Sequence, residues 1–143
     1  MFRFEGLDVW RRASVIAREM MDVADDLDHI RKYKIAEQLR RAALSISNNI
    51  AEGSGSSSRR DFRVFLNSSH RSVFETANIL TLCRRSKWLS EAAAMNYLRE
   101  LEEIARMIIG FSRSLCALSS CTWLYALALC SWLSALFQVN NVG

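Results

Sequence analysis

Apolar residues recur at intervals of three and four through the first 115 residues and divide this part of the chain into amphipathic segments. Such spacing places them on one face of an α-helix. The predicted helices cover residues 7–28, 33–52 and 58–85, and a fourth runs from residue 90 into the tail. Because the connections are short, successive helices should be antiparallel neighbours. The expected fold is all-α: an up-down-up-down four-helix bundle with an apolar C-terminal tail.

Helix ends are marked by residues that cap helices. Ser58 and Asp61 resemble a capping box, and Ser90 is a candidate N-cap. Gly53 is the predicted C-cap of the second helix. The chain also contains no proline, the commonest helix breaker. These signals support the four predicted helices.

Some apolar residues fall outside the predicted core stripes of the second and third helices. A helix that is apolar on more than one side is usually covered by something else, and here a second subunit is the expected cover. The predicted oligomer interface comprises Leu44, Val64, Ile79 and Leu82.

Charge divides the 143-residue chain into two parts. The last charged residue is Arg113, so residues 1–115 form the predicted bundle domain and residues 116–143 an uncharged apolar extension. Residues 116–137 have about the length that a helix needs to cross a bilayer. Three interpretations stay open: a read-through extension without a selected role, a membrane tail anchor, or an oligomer contact. The N-terminal segment does not resemble a signal peptide, so we expect a cytoplasmic protein.

Reactive groups are sparse. The two histidines and four cysteines show no metal-binding spacing, and no serine lies in a GxSxG motif. We therefore predict a protein that is not an enzyme and has no catalytic residue, metal or cofactor.

The middle of the chain is basic. Residues 58–87 contain seven bases against two acids, and arginine, which predominates, makes bidentate contacts to phosphate. One interpretation is nucleic-acid binding, to RNA or DNA, through these side chains. The alternatives are ordinary solvated faces, partly paired with the acidic first helix, and a protein-interaction scaffold. The candidate phosphate-binding residues are Arg40, Arg41, Arg59, Arg60, Arg63, Arg84, Arg85 and Lys87.

Residues 38–66, QLRRAALSISNNIAEGSGSSSRRDFRVFL, resemble the hallmark of the four-helix bundle proteins known as 23S rRNA intervening-sequence proteins. The family pattern is close to QLRRAxxSIxxNIAEG, followed by a polar loop and an aromatic-rich helix. The resemblance covers about the first 115 residues and implies an antiparallel four-helix bundle, a homopentamer and a basic surface. Relatives include the accessory variability determinant of diversity-generating retroelements, which binds nucleic acid and a reverse transcriptase.

The matching motif includes a polar strip along the second helix. We expect this strip to be structural, as an interhelical hydrogen-bond network that also holds the turn into the third helix. Its residues are Gln38, Arg41, Ser45, Asn49 and Glu52, with Gly53 at its end.

Overall fold

The computed structural model describes the backbone of residues 1–139 and the side chains of residues 1–116. A short 3-10 helix precedes four α-helices, which are α1 (Asp8–His29), α2 (Tyr33–Ser54), α3 (Arg59–Arg85) and α4 (Glu91–Val139). In this part of the chain α2 packs between α1 and α3, and α4 packs mainly against α3. The predicted all-α, four-helix bundle is confirmed.

A single hydrophobic core runs along the bundle axis. Every helix contributes side chains at intervals of three and four, as the sequence pattern predicted. The largest fully buried side chains include Ile16, Met20, Leu27, Leu39, Ile46, Ile50, Leu66, Leu80, Leu101, Ile104 and Ile108.

The end of α2 differs from the prediction. Gly53 is not the C-cap, because the helix continues through Ser54 and Gly55 occupies the cap position. Gly53 is buried, and a Cβ atom there would lie 2.5 Å from Cδ2 of Phe62 and 2.7 Å from Cβ of Phe65. The residue is therefore glycine because α2 and α3 approach too closely at this point for any side chain.

Both predicted N-caps are present. The Ser58 hydroxyl accepts a hydrogen bond from the Asp61 N–H at 3.0 Å, and the Ser90 hydroxyl accepts one from the Ala93 N–H at 3.2 Å. Each satisfies a backbone donor that has no partner within its helix. These bonds fix the starts of α3 and α4.

The turns after α1 and α3 lie together at one end of the bundle. Each contains a basic residue in the left-handed region, Arg31 with φ 62° and Lys87 with φ 58°. In the α3 turn the Trp88 N–H bonds back to the carbonyl oxygen of Cys83 at 2.9 Å, an arrangement that ends many helices. The ammonium of Lys32 lies 4.7 Å from the centre of the Trp88 ring, which joins the two turns.

One residue of the predicted oligomer interface is misplaced. Ile79 is only 4% exposed and belongs to the core, so the bundle itself covers it and leaves almost none of its side chain for a second subunit. Leu44, Val64 and Leu82 are exposed. The interface prediction is thus wrong for Ile79 and stays a prediction for the other three.

The C-terminal tail was given three interpretations. The three interpretations all concern residues 117–143, which lie outside the part of the chain whose side chains are described. All three stay predictions. Among the described residues, no helix combines the length and the apolar character needed to cross a bilayer.

Candidate nucleic-acid interface

The predicted phosphate-binding residues occupy both ends of α3, the turn that follows it, and two adjacent positions of α2 that point toward different helices. Arg59, Arg60 and Arg63 lie in the first turns of α3, whereas Arg85 ends it. At 1.5 Å per residue, the two ends are about 39 Å apart. Lys87 is exposed in the turn that follows. The basic segment of the sequence is therefore spread along the whole bundle.

Arg40 is engaged within the bundle. Its guanidinium bonds to the Asp28 carboxylate at 2.7 Å and also to that of Asp25, linking α2 to the end of α1. These hydrogen bonds raise the pKa of Arg40 above its ordinary value. With two carboxylates on one guanidinium, Arg40 offers little free positive charge to a ligand.

Arg84 is also paired. Its guanidinium contacts the Glu91 carboxylate at 3.1 Å and the Met95 sulfur at 3.1 Å, so it joins the end of α3 to the start of α4. Sequence reasoning grouped Arg84 with Arg85. The structure separates them, because adjacent residues on a helix point in different directions.

Arg41 lies in a groove between α2 and α3 with a volume of about 490 Å³. Lys34 joins it there, but Glu37 and Glu75 line the same groove. Bases and acids therefore balance, and the groove carries no net positive charge to attract a polyanion.

The polar strip of α2 does bond to α3. The Gln38 amide donates to a carboxylate oxygen of Glu75 at 3.0 Å, and the Ser72 hydroxyl donates to that of Ser45 at 2.9 Å. Ser69 donates to the carbonyl oxygen of Ile46 at 2.8 Å and is fully buried. Gln38 and Ser45 thus take part in an interhelical hydrogen-bond seam between α2 and α3, and their structural role stays a prediction.

Two further residues of the strip do not cross to α3. The Asn49 amide donates to the carbonyl oxygen and hydroxyl of Ser45, one turn earlier in α2, at 2.7 and 3.0 Å. It therefore supports the seam from within α2. Glu52 is exposed near the end of that helix.

Arginines of α3 are aligned on the side of the helix opposite the core. At 100° per residue, Arg60, Arg63, Arg71 and Arg85 fall within an arc of about 80°. All four are exposed, and none makes an ion pair with the described part of the chain. We call this arc the α3 outer face; its residues are Arg60, Arg63, Asn67, Arg71, Phe74, Asn78, Thr81 and Arg85.

No acidic residue lies within the α3 outer face. The two carboxylates of α3, Asp61 and Glu75, fall on the side that turns toward α2, where Glu75 bonds to Gln38. The face thus carries four positive charges and no negative one within its arc. Arg71, a member of the row, was not among the predicted site residues, although the helical period applied to charges would have found it.

The family model of the 23S rRNA-intervening sequence protein matches residues 5–110. The chain belongs to that family. The resemblance seen in residues 38–66 is therefore confirmed, and the match covers α1, α2, α3 and the part of α4 up to residue 110.

A solved structure is similar to this family member. It is a protein of unknown function from the S23 ribosomal protein family of Bacteroides thetaiotaomicron. The TM-score is 0.70 at 24% identity, over 73% of this chain and 97% of that one. At this identity the likeness shows the fold alone. No curated protein matches the chain.

Proposed function

We propose that this family member is a non-catalytic, self-associating bundle that binds RNA or DNA through the α3 outer face. The observation that carries the proposal is the row of four exposed arginines, none of which makes an ion pair with the described part of the chain, although Glu75 lines a cleft beside Arg71. The sequence-based set is revised accordingly. Arg59, Lys87 and Arg41 become secondary contacts, and Arg40 and Arg84 hold the bundle together.

If arginines contact the phosphates, binding should depend strongly on salt and weakly on base sequence. Each guanidinium that meets a phosphate releases condensed counterions, so affinity should fall steeply as salt rises. Phosphates carry no base identity, so such contacts alone give little sequence selectivity. This behaviour suits an accessory of a nucleoprotein or of a reverse transcriptase, which is the role of one relative, the accessory variability determinant of diversity-generating retroelements.

Self-association rests on separate residues. The apolar side chains of Leu44, Val64 and Leu82 are exposed on the surface of the described bundle. Burying such side chains stabilises an interface by about 25 cal/mol per Å². The resemblance implies a homopentamer, and light scattering coupled to gel filtration would measure the subunit number directly.

Charge reversal tests the nucleic-acid interface. The variant R60E/R63E removes two arginines of the α3 outer face, and R18E/R99E, on exposed positions of α1 and α4, is a control with the same change in net charge. We expect R60E/R63E to lower the slope of log K against log salt by about 1.4 to 1.8, since each lost phosphate contact contributes about 0.7 to 0.9. The control should keep most of the wild-type slope.

The result can refute the proposal in two ways. Equal losses in R60E/R63E and R18E/R99E would mean that net charge, not the α3 outer face, attracts the ligand. No binding by the wild-type chain at low salt would favour the alternative, a protein-interaction scaffold.

A further inference from the structure

Phe74 stands at the middle of the α3 outer face and is 62% exposed. Arg63 and Arg85 lie eleven residues before and after it, which is three helical turns, or about 16 Å, in each direction. Arg71 lies one turn away on the same face. A large apolar ring therefore lies one turn from Arg71, between two further arginines of the same face that are each about 16 Å away.

The Phe74 ring has an aromatic neighbour in α3. The His70 ring lies 5.0 Å away, centre to centre, at an angle of 55°. His70 in turn lines a cleft with Ile108, Ile109 and Arg113 of α4. One edge of Phe74 is thus supported by the α3–α4 contact, while most of the ring stays available to a ligand.

An exposed aromatic ring among arginines matches the requirements of unpaired nucleic acid. Bases of a single strand can turn outward and stack on a flat aromatic ring, while arginines on either side contact the phosphates. In a duplex the bases are stacked inside the helix, so a ring on a convex helix surface cannot reach their flat sides. The arginines could contact the phosphate backbone of either a single strand or a duplex. The Phe74 ring could stack only on an unpaired base.

A second copy of the chain is the competing occupant of Phe74. Two identical α3 outer faces packed against each other would bring eight arginines together without an acid in the described arc, and like charges in close contact are unfavourable. The charge of the face therefore disfavours this two-fold contact. A cyclic oligomer would instead bring the face against a different surface of the neighbouring copy, and the light-scattering measurement below tests that case.

We infer that Phe74 stacks on an unpaired base, so that the α3 outer face selects single-stranded nucleic acid over duplex. This inference rests on the proposed nucleic-acid binding and names the class of ligand. The row of arginines gives the affinity that single-stranded and duplex nucleic acid share, and Phe74 gives the preference for the single strand.

The test compares two labelled probes with the full chain by fluorescence anisotropy. One is an unstructured oligo(U) of about 16 nucleotides, near the upper site size of a single-strand-binding domain, and the other is a duplex with the same number of phosphates. The variants are F74A, F74L and F74Y. V15A is the control, because Val15 is 50% exposed on α1, away from the α3 outer face.

For F74A we expect an affinity for oligo(U) lower by about 5- to 150-fold, the range for loss of one stacked base, with an unchanged salt slope. Affinity for the duplex should stay within about twofold. F74L, which is apolar but not flat, should behave like F74A, whereas F74Y and V15A should behave like the wild type.

The outcomes separate the two proposals. If the wild type binds both probes and F74A loses nothing, or loses both equally, the stacking inference is wrong and the nucleic-acid interface stands. If F74A changes the molecular mass in light scattering, a second copy covers the ring and the inference is also overturned. A wild type that binds neither probe refutes both proposals.

Discussion

Replacing Gly53 by alanine should destabilise the bundle, although alanine is the better helix former. An alanine Cβ at this buried position would lie 2.5 Å from Cδ2 and 2.8 Å from Cε2 of Phe62, and 2.7 Å from Cβ of Phe65. The Phe62 ring could rotate. The Cβ of Phe65 is attached directly to the α3 backbone and cannot move unless the helix moves with it.

The magnitude follows from two opposed effects. Glycine to alanine inside a helix stabilises by about 1 kcal/mol, through backbone entropy and solvation. Forcing an extra methyl group into a packed core costs typically about 1–3 kcal/mol, occasionally more, and a contact with an immobile atom favours the upper end. We therefore expect G53A to lower the free energy of unfolding by about 1–2 kcal/mol.

Urea unfolding followed by circular dichroism at 222 nm measures this change, and G110A supplies the control. Gly110 is also helical, within α4, but nothing lies within 4 Å of a Cβ built there. G110A should gain up to about 1 kcal/mol. If G53A were as stable as the wild type or more so, the argument from close approach of α2 and α3 would be wrong.

Three further predictions concern the described side chains. S69A should lose about 1 kcal/mol of unfolding free energy, because the buried Ser69 hydroxyl bonds across the seam, whereas S68A, at an exposed bond within α3, should lose little. Arg12 holds the pKa of Glu100 below its ordinary value through a hydrogen bond of 2.7 Å. The Arg12–Glu100 ion pair should thus stabilise the folded state above about pH 4.3, and this stabilisation should be lost as pH falls through the lowered pKa of Glu100. In E100Q the urea concentration at the midpoint of unfolding should therefore fall less steeply below that pH than in the wild type. Burial raises the pKa of the Cys83 thiol, so iodoacetamide at pH 8 should modify Cys83 in denaturant but not in the native chain, as measured by peptide mass spectrometry.

The helices could be predicted from sequence because their signals are local. Apolar spacing sets the buried face, and Ser58 and Ser90 mark helix starts by bonds that span three residues. Ile79 was misassigned because α3 packs against both α2 and α4, which widens its buried sector beyond a single stripe. Gly53 was misassigned because a glycine near a helix end fits either a cap or a close contact, and only the distance to α3 distinguishes them.

The candidate interface could be predicted in part. The basic character of α3 is visible in the sequence, but the partners of Arg40 and Arg84 lie on other helices. Which arginines remain available therefore depends on how α1, α2 and α4 pack. Counting charges by segment also concealed the alignment of Arg71 with Arg60 and Arg85, which depends on their direction around the helix.

The interhelical seam fixes how α2 and α3 are aligned along their length. Moving α3 along α2 by one turn, about 5.4 Å, would separate Ser69 from Ile46 and Ser45 from Ser72. The seam therefore selects one alignment of the two helices. The motif by which the family is recognised lies along this seam, so it specifies how the helices align. Chains that share the motif should therefore share this alignment of α2 and α3.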